Sequence, residues 1–455
     1  MLDPADAPDE RSTVLGQATG RPTWVRWRIV ALLATFSFMT YFNRVSISVV
    51  STDIIKQFGI TETEMGWIMS SLLLTYTIFM TPGGWLSDQW GPRAALMLMG
   101  FGSAAFTALT ALAGHPALIA ALILPSFMLV RGLMGVFTAP IFPASGRMIS
   151  NWIPLRKQAS ANSLVNCAAP LGAACVQAVF PILVVYFESW RWAFVAAAVV
   201  TAGFTAWWMW YANDDPRRHV ATNEAEVRFI ASHTVSPDVA TRSRRPTQWR
   251  ALLRNRSLLL LTLSYTALGY LEYIFFYWTT HYFREIRHLS REEAALAATL
   301  PNLAMMLFTP IGGWISDRLV QSFGYRRGRC IVPIAGMILS ASSLMVAANT
   351  ASIGLMLCSF TLAQGFAGAT EGPFWATAFQ LGRRDGGTAG GLVNTGGNAG
   401  GFLAPIVTPW VSGIFGSWRW GLNLGAIVCL AGVAAWFFID PEESSQESSD
   451  AVGRA

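Results

Sequence analysis

Apolar runs of roughly 20 residues, each long enough to cross about 30 Å of hydrocarbon as a helix, fill most of the chain and alternate with short polar connections. They fall near 28–50, 64–86, 94–114, 117–143, 158–185 and 191–212, and again near 257–283, 295–316, 330–349, 352–379, 387–413 and 419–439. The pattern predicts twelve transmembrane helices, spans 1 to 12 in chain order. Composition agrees: of 455 residues 53% are hydrophobic and only 13% charged, and the mean hydropathy is +0.42. That balance excludes a soluble globular protein of this length. The expected fold class is an all-α membrane protein.

The chain also repeats itself. Gly-Gly-Trp-Leu-Ser-Asp at 83–88 returns as Gly-Gly-Trp-Ile-Ser-Asp at 312–317, Phe-Glu-Ser-Trp-Arg-Trp at 187–192 as Phe-Gly-Ser-Trp-Arg-Trp at 415–420, and Leu-Val-Asn at 164–166 as Leu-Val-Asn at 392–394. The offset is 229 residues for the first match and 228 for the others. Such halves are parallel repeats related by an axis along the membrane normal, with the substrate site at their interface near the midplane. Residues 25–212 and 257–440 then form two pseudo-symmetric six-helix bundles around a central cavity. Residues 1–24 form a cytoplasmic segment, 213–256 a cytoplasmic linker, and 441–455 a disordered tail that can bury nothing. In the linker, Asp214-Asp215-Pro216 reads as a helix stop and Glu224–His233 as a short amphipathic helix.

Positive residues are retained on the cytoplasmic side. Arg21, Arg26 and Arg28 precede span 1; Arg93, Arg156, Lys157, Arg326, Arg327, Arg329, Arg383 and Arg384 lie in even-numbered connections; nine arginines against five acids follow in 213–256. In connection 7–8, Arg284, Arg287 and Arg291 are expected to be offset by Glu285, Glu292 and Glu293. Both termini are therefore expected in the cytoplasm of a bacterial inner membrane. The net charge of +6 calls for no nucleic-acid partner, because loop retention and the acidic inner leaflet account for it. Asp3, Asp6, Asp9 and Glu10, with no apolar core, exclude a cleavable signal peptide. Of five cysteines, Cys167, Cys175, Cys358 and Cys429 lie inside spans without metal-ligand spacing and read as packing residues. No metal or cofactor is expected, and no nucleophile triad or nucleotide loop points to an enzyme.

The candidate chemistry is charge placed at membrane depth. Arg44 lies inside the run Ile29–Val50 and Arg131 inside Leu118–Pro143; a guanidinium there costs at least a few kcal/mol and normally faces a cavity or a partner. Either can grip a carboxylate with its planar fork, or bond a backbone carbonyl of a neighbouring helix. Tyr41 lies one turn before Arg44, and Tyr76 in span 2. Glu272 in span 7 and Glu371 in span 10 are the intramembrane acids, candidates for carrying a proton. Asn394 and Asn398, four apart among the glycines of span 11, and Asn166, the repeat mate of Asn394, could contact a hydroxylated substrate. Trp375, Tyr270, Tyr273, Phe276 and Tyr277 form an aromatic wall. Asp88, at the end of span 2, can cap the N-terminus of span 11 when the cytoplasmic side is closed, a gating role shared with Arg93 and more weakly with Asp317 and Arg318.

The segment Gly84-Trp-Leu-Ser-Asp88-Gln-Trp-Gly91-Pro-Arg93 resembles the loop 2–3 signature of the major facilitator superfamily, and the resemblance covers essentially the whole chain. Tyr41-Phe-Asn-Arg44, Arg131-Gly-Leu-Met-Gly135 running into Phe142-Pro143-Ala144, and Trp190-Arg191 resemble the anion:cation symporter family, which includes galactonate and glucarate carriers. In galactonate carriers tyrosines at the positions of Tyr41 and Tyr76 help to hold the substrate, and an arginine at the position of Arg131 is expected to bind it. Those carriers also have an acid just before the span 1 arginine and another seven residues after the span 4 arginine. Here Asn43 and Thr138 stand there, and neither titrates. Aligning Gly135-Val-Phe-Thr-Ala-Pro140 with Gly368-Ala-Thr-Glu-Gly-Pro373 puts Glu371 at the repeat position of Thr138, so coupling is expected to have moved to the second half. The implied function is a proton-coupled importer of a small organic anion, a sugar acid or aromatic carboxylate, working as a monomer in the bilayer by alternating access. A zwitterion carrier or an anion exchanger without proton coupling is the alternative, and a non-transporting receptor or membrane enzyme a third reading.

Overall fold

The computed structural model describes residues 21–115, 119–231, 249–382 and 386–441. The expectations for residues 1–20, for the linker over 232–248, for Arg383 and Arg384, and for the tail over 442–455 lie outside the described residues. Among the described residues there is no strand. The twelve spans are Val25–Val49, Glu62–Trp90, Pro92–Thr110, Ala120–Trp152 with one break, Leu155–Tyr186, Trp190–Tyr211, Arg256–His281, Arg291–Phe323, Tyr325–Asn349, Ile353–Gly382, Gly386–Ile414 and Trp418–Trp436. A short helix, Ser51–Phe58, follows span 1, and a π-helical turn, Tyr282–Ile286, follows span 7. The linker helix runs over Glu224–Ala231, inside the expected Glu224–His233.

Span 4 departs from the expected continuous helix over 117–143. It is a helix over Ala120–Thr138 and a second over Ile141–Trp152, broken at Ala139-Pro140. Proline has no N–H to give to the carbonyl one turn back, and its ring crowds that turn, so the ladder restarts after it. Spans 2 and 8 begin alike, each with a capping box: Thr61 with Glu64, and Ser290 with Glu293. The two boxes stand one repeat apart and satisfy the first free N–H groups of their helices.

Packing repeats as the sequence does. Span 1 lies on span 5, span 2 on span 4, and span 3 on spans 4 and 6; in the second half span 7 lies on span 11, span 8 on span 10, and span 9 on spans 10 and 12. The halves meet where span 2 touches span 11, span 5 touches span 8, and span 1 touches span 7, each contact being its own or another's image under the two-fold exchange. Ten of the twelve helices are apolar enough to cross a bilayer by composition; the exceptions are spans 2 and 11. Those two pack on each other, so they turn polar positions to the partner half instead of to lipid.

Glycine permits the closest of these approaches. A Cβ on Gly400 in span 11 would sit 2.0 Å from the Thr266 carbonyl oxygen of span 7, and one on Gly172 in span 5 would sit 2.3 Å from the Phe38 carbonyl of span 1. These contacts are repeat mates. Gly400→Val should therefore lower the thermal midpoint of the purified protein, by about 1–3 kcal/mol of overpacking or more. Gly391→Ala, where a Cβ meets nothing within 4 Å, should leave it unchanged; equal midpoints for the two variants in detergent would refute this packing.

Candidate functional site

Residues one repeat apart touch each other along a line through the protein. Arg44 bonds Tyr273, Thr52 bonds His281 and Lys56 bonds Glu285, each pair separated by 229 positions. Symmetry mates can meet only on the axis that relates them, so this stretch of spans 1 and 7, and Arg44 with it, lies on the pseudo-two-fold axis.

Arg44 is 2% exposed and sits among phenol rings. Its guanidinium carbon is 4.9 Å from the Tyr41 ring centroid and 4.3 Å from that of Tyr76, a cation–π arrangement. Nη1 donates to the Tyr273 hydroxyl at 3.2 Å. Nε and Nη2 are buried without an aligned acceptor. Those two nitrogens form one edge of the fork, the geometry that takes a carboxylate. The Tyr273 hydroxyl in turn faces Asn398 Oδ1 at 3.4 Å, and Asn398 donates to the Asn394 carbonyl, so span 11 is tied to the arginine. Asn394 itself reaches Met80 of span 2. Asn166 is exposed on span 5 and makes no hydrogen bond to this cluster.

Arg131 behaves differently from the expected anion ligand. It is fully buried, and its two terminal nitrogens donate to the carbonyl oxygens of Asn43 and Arg44 in span 1. The guanidinium is spent on backbone. It braces span 1 behind Arg44, and the Tyr277 hydroxyl, buried without a partner, lies within electrostatic reach of both arginines.

The two intramembrane acids come together, although 99 positions of chain separate Glu272 from Glu371. Their carboxyl groups lie close enough to influence each other strongly. Glu371 Oε2 also accepts from the Tyr265 hydroxyl at 2.9 Å and from Trp375 Nε1 at 3.1 Å. The Oε1 atoms of both glutamates are buried without a partner. Carboxylates this close cannot both be ionised at low cost. Tyr41, whose ring lies 4.9 Å from the Arg44 guanidinium, is within electrostatic reach of both glutamates. Tyr265 escaped the sequence reading; its spacing of two helical turns from Glu272 was the available signal.

Of the expected gate, only part is in place. Asp88 is exposed, with Arg147 4.0 Å away, and does not cap span 11. Arg93 instead fixes the end of its own half: its N–H donates to Asp214 and its guanidinium to the Met209 carbonyl. Asp317 pairs with Arg329 at 3.0 Å, and Arg318 lies over Trp314. At the opposite face the halves are locked. Asp53 takes Arg284 and Arg291 at 3.2 and 3.0 Å, Lys56 takes Glu285, and Glu62 takes His281 and Trp418 Nε1. Arg284 and Arg291 are thus offset across the interface rather than by their neighbouring glutamates, of which Glu285 is taken by Lys56 and Glu293 by its capping box, while Arg287 donates to the Ala351 carbonyl of its own half. All of the described ion pairs between the halves are at this face. A surface recess of about 470 Å³ lies beside them, lined by Asp53, Gln57, Glu188, Trp190, Arg191 and Arg291, apart from the Arg44 cluster.

Comparison with known proteins places this geometry in context. The sequence description of the Major Facilitator Superfamily matches residues 32–405 and 274–454. The chain is similar to the "Probable sulfoacetate transporter SauU" of Cupriavidus necator, 26% identical over 91% of this chain and 94% of that one. It is 29% identical to the "Probable galactarate/D-glucarate transporter GudP" of Bacillus subtilis over 92% and 93%, and 28% identical to the D-galactonate transporter of Escherichia coli over 87% and 91%. Among solved structures, a bacterial homologue of the human lysosomal transporter Spinster superposes with a TM-score of 0.74 at 13% identity, over 92% of this chain and 97% of that one. A D-xylose-proton symporter superposes with a TM-score of 0.68 at 16% identity, over 92% and 99%. These likenesses establish the fold.

Arg131→Met should destabilise the protein, since it leaves the Asn43 and Arg44 carbonyls unpaired at about 1–3 kcal/mol each. The thermal midpoint in detergent should fall clearly, and Arg131→Lys should recover part of it. An unchanged midpoint combined with lost ligand binding would make Arg131 a substrate ligand after all.

Proposed function

The chain belongs to the Major Facilitator Superfamily and is a multi-pass membrane transporter rather than an enzyme; from that premise we propose that it imports a small organic anion together with a proton, by alternating access. The observation that carries this reading is Arg44: a guanidinium on the pseudo-two-fold axis with two unpartnered nitrogens, over a Tyr41 ring that is itself within electrostatic reach of two carboxyl groups of the other half. The relatives named for sulfoacetate, galactarate, glucarate and galactonate support an organic anion as the cargo.

In this reading the face bearing the chain ends is cytoplasmic, as the arginine-rich connections favour, in a bacterial inner membrane. The ion pairs around Asp53 and Glu62 close the external side, and the exposed Asp88 belongs to the state open inward. The moving bodies are residues 25–212 and 257–440, acting in a monomer. Asp88 and Asp317 reach the start of a neighbouring helix only when the inner side closes, and Arg93, through Asp214, and Arg318 stiffen those ends.

Coupling follows from the order of residues on span 7. Tyr273 solvates Arg44, and its neighbour Glu272 faces Glu371. A substrate carboxylate on the open edge of Arg44 neutralises the guanidinium and so weakens its hold, through Nη1, on the Tyr273 hydroxyl. Any turn of span 7 that releases Tyr273 also moves Glu272 against Glu371, and so changes the pair's hold on its proton. Asn43 and Thr138 leave the first half without a carboxyl group beside Arg44 or Arg131, which leaves the glutamate pair as the coupling element of this reading. Tyr41, Tyr76, Trp375, Asn394, Asn398 and, once the halves have moved, Asn166 contact the substrate.

Uptake into proteoliposomes across a panel of sugar acids and aromatic acids tests this. An acidic exterior should accelerate accumulation, and Glu371→Gln should remove that acceleration while leaving counterflow exchange measurable. Full gradient-driven uptake by Glu371→Gln would overturn the coupling scheme. Uptake indifferent to pH in the unaltered protein would favour a zwitterion carrier or an exchanger.

A further inference from the structure

Resting on the proposed function, we infer that the site accepts anions carrying a single negative charge, with hydroxyl groups at the far end, and rejects anions of the same skeleton that carry two. The count of available charges leads there. The buried basic side chains among the described residues, histidines aside, are Arg44, Arg131 and Arg329. Arg329 is held by Asp317 and Ser316 at the end of its bundle. Arg131 gives both terminal nitrogens to span 1 carbonyls. Only Arg44 offers an open edge, enough for one carboxylate or sulfonate.

The wall facing it is acidic. Glu272 and Glu371 lie within electrostatic reach of Tyr41, whose ring is 4.9 Å from the Arg44 guanidinium, and when they share one proton the pair keeps one negative charge. The donors on that wall are already used: the Tyr265 hydroxyl and Trp375 Nε1 both point to Glu371 Oε2. What remains there is acceptor: no donor is free, and of the two glutamate Oε1 atoms a shared proton satisfies one contact and leaves lone pairs still to fill. A second anionic group on the substrate would meet like charge away from water with no cation to offset it. A hydroxyl in the same place would donate to an oxygen that now has no partner, and remove a buried unsatisfied acceptor. The wall thus selects by charge and by hydrogen-bond polarity at once.

Binding to the purified full-length protein at neutral pH, read by tryptophan fluorescence, tests this with matched probes: D-gluconate against D-glucarate, D-galactonate against galactarate, and 4-hydroxybenzoate against terephthalate. In at least one pair the monoanion should bind about tenfold tighter or more, the scale of a like charge placed against a buried one. In Glu272→Gln/Glu371→Gln, or in either single variant if the double variant does not fold, the ratio within that pair should shrink to within about threefold. Equal or tighter binding of the dianions overturns the inference alone, as does a ratio that the glutamine variants leave unchanged. Binding of no probe by the unaltered protein defeats the organic-anion reading itself, and the inference with it.

Discussion

A guanidinium on the axis that relates the two halves has no bulk water to solvate it, so both halves must supply the solvation. Arg44 receives the Tyr41 and Tyr76 rings from the first half and the Tyr273 hydroxyl from the second. The arrangement is incomplete, because two nitrogens have no acceptor. An incompletely solvated buried charge is costly, and an anion on its open edge would relieve that cost, which is why the proposed function rests on this position. Its incompleteness depends on Arg131. By holding the Asn43 and Arg44 carbonyls, Arg131 fixes the backbone of span 1 and keeps the Arg44 side chain directed across the interface.

How the sequence foretold this was uneven, for physical reasons. Hydropathy located all twelve spans, because the length needed to cross hydrocarbon leaves little freedom, but it stopped short where spans 4 and 8 run on past the apolar run to Trp152 and Phe323. The 228–229 offset foretold the parallel halves, and the structure repeats it in helix packing, in the Thr61 and Ser290 capping boxes and in the Gly172 and Gly400 contacts. Depth alone, however, could not separate Arg131 from Arg44. Both are charges in apolar runs, and only side-chain direction distinguishes a brace from an open fork. The break in span 4 was legible in Pro140 but was passed over because the apolar run continued through it. The locked face was hidden because Arg284 and Arg291 have acids beside them in sequence. Applying the repeat offset to charged residues, as in Lys56 and Glu285, would have shown that these charges meet across the axis.

The two faces of the protein differ in what joins the halves. One is held by Asp53 with its two arginines, by Lys56 with Glu285 and by Glu62 with His281 and Trp418. At the other, Asp88 and Asp317 are exposed, and each one's ion-pair partner lies in its own half. Several of the locking contacts are partly exposed ion pairs, each of small net worth on its own. A lock made of many weak bonds can open without a large barrier, whereas the glycine-mediated seams within each half put helix backbones in contact and resist separation. Motion is therefore cheapest between the halves, where polar contacts can be exchanged for water.

Repeat symmetry also explains why the charges are divided as they are. If both halves carried an arginine at the axial position, two guanidinium groups would face each other in a dry interface. The mate of Arg44 is instead Tyr273, a neutral group that both accepts from the arginine and reaches Asn398. The residue beside that mate is Glu272, whose side chain turns away to meet Glu371. Divergence at two adjacent positions of span 7 thus converts a symmetric clash into a cation in one half and an acid pair in the other. In the proposed reading the substrate's anchor then lies in one half and the coupling acids in the other, so neither half completes the site unless the other closes on it.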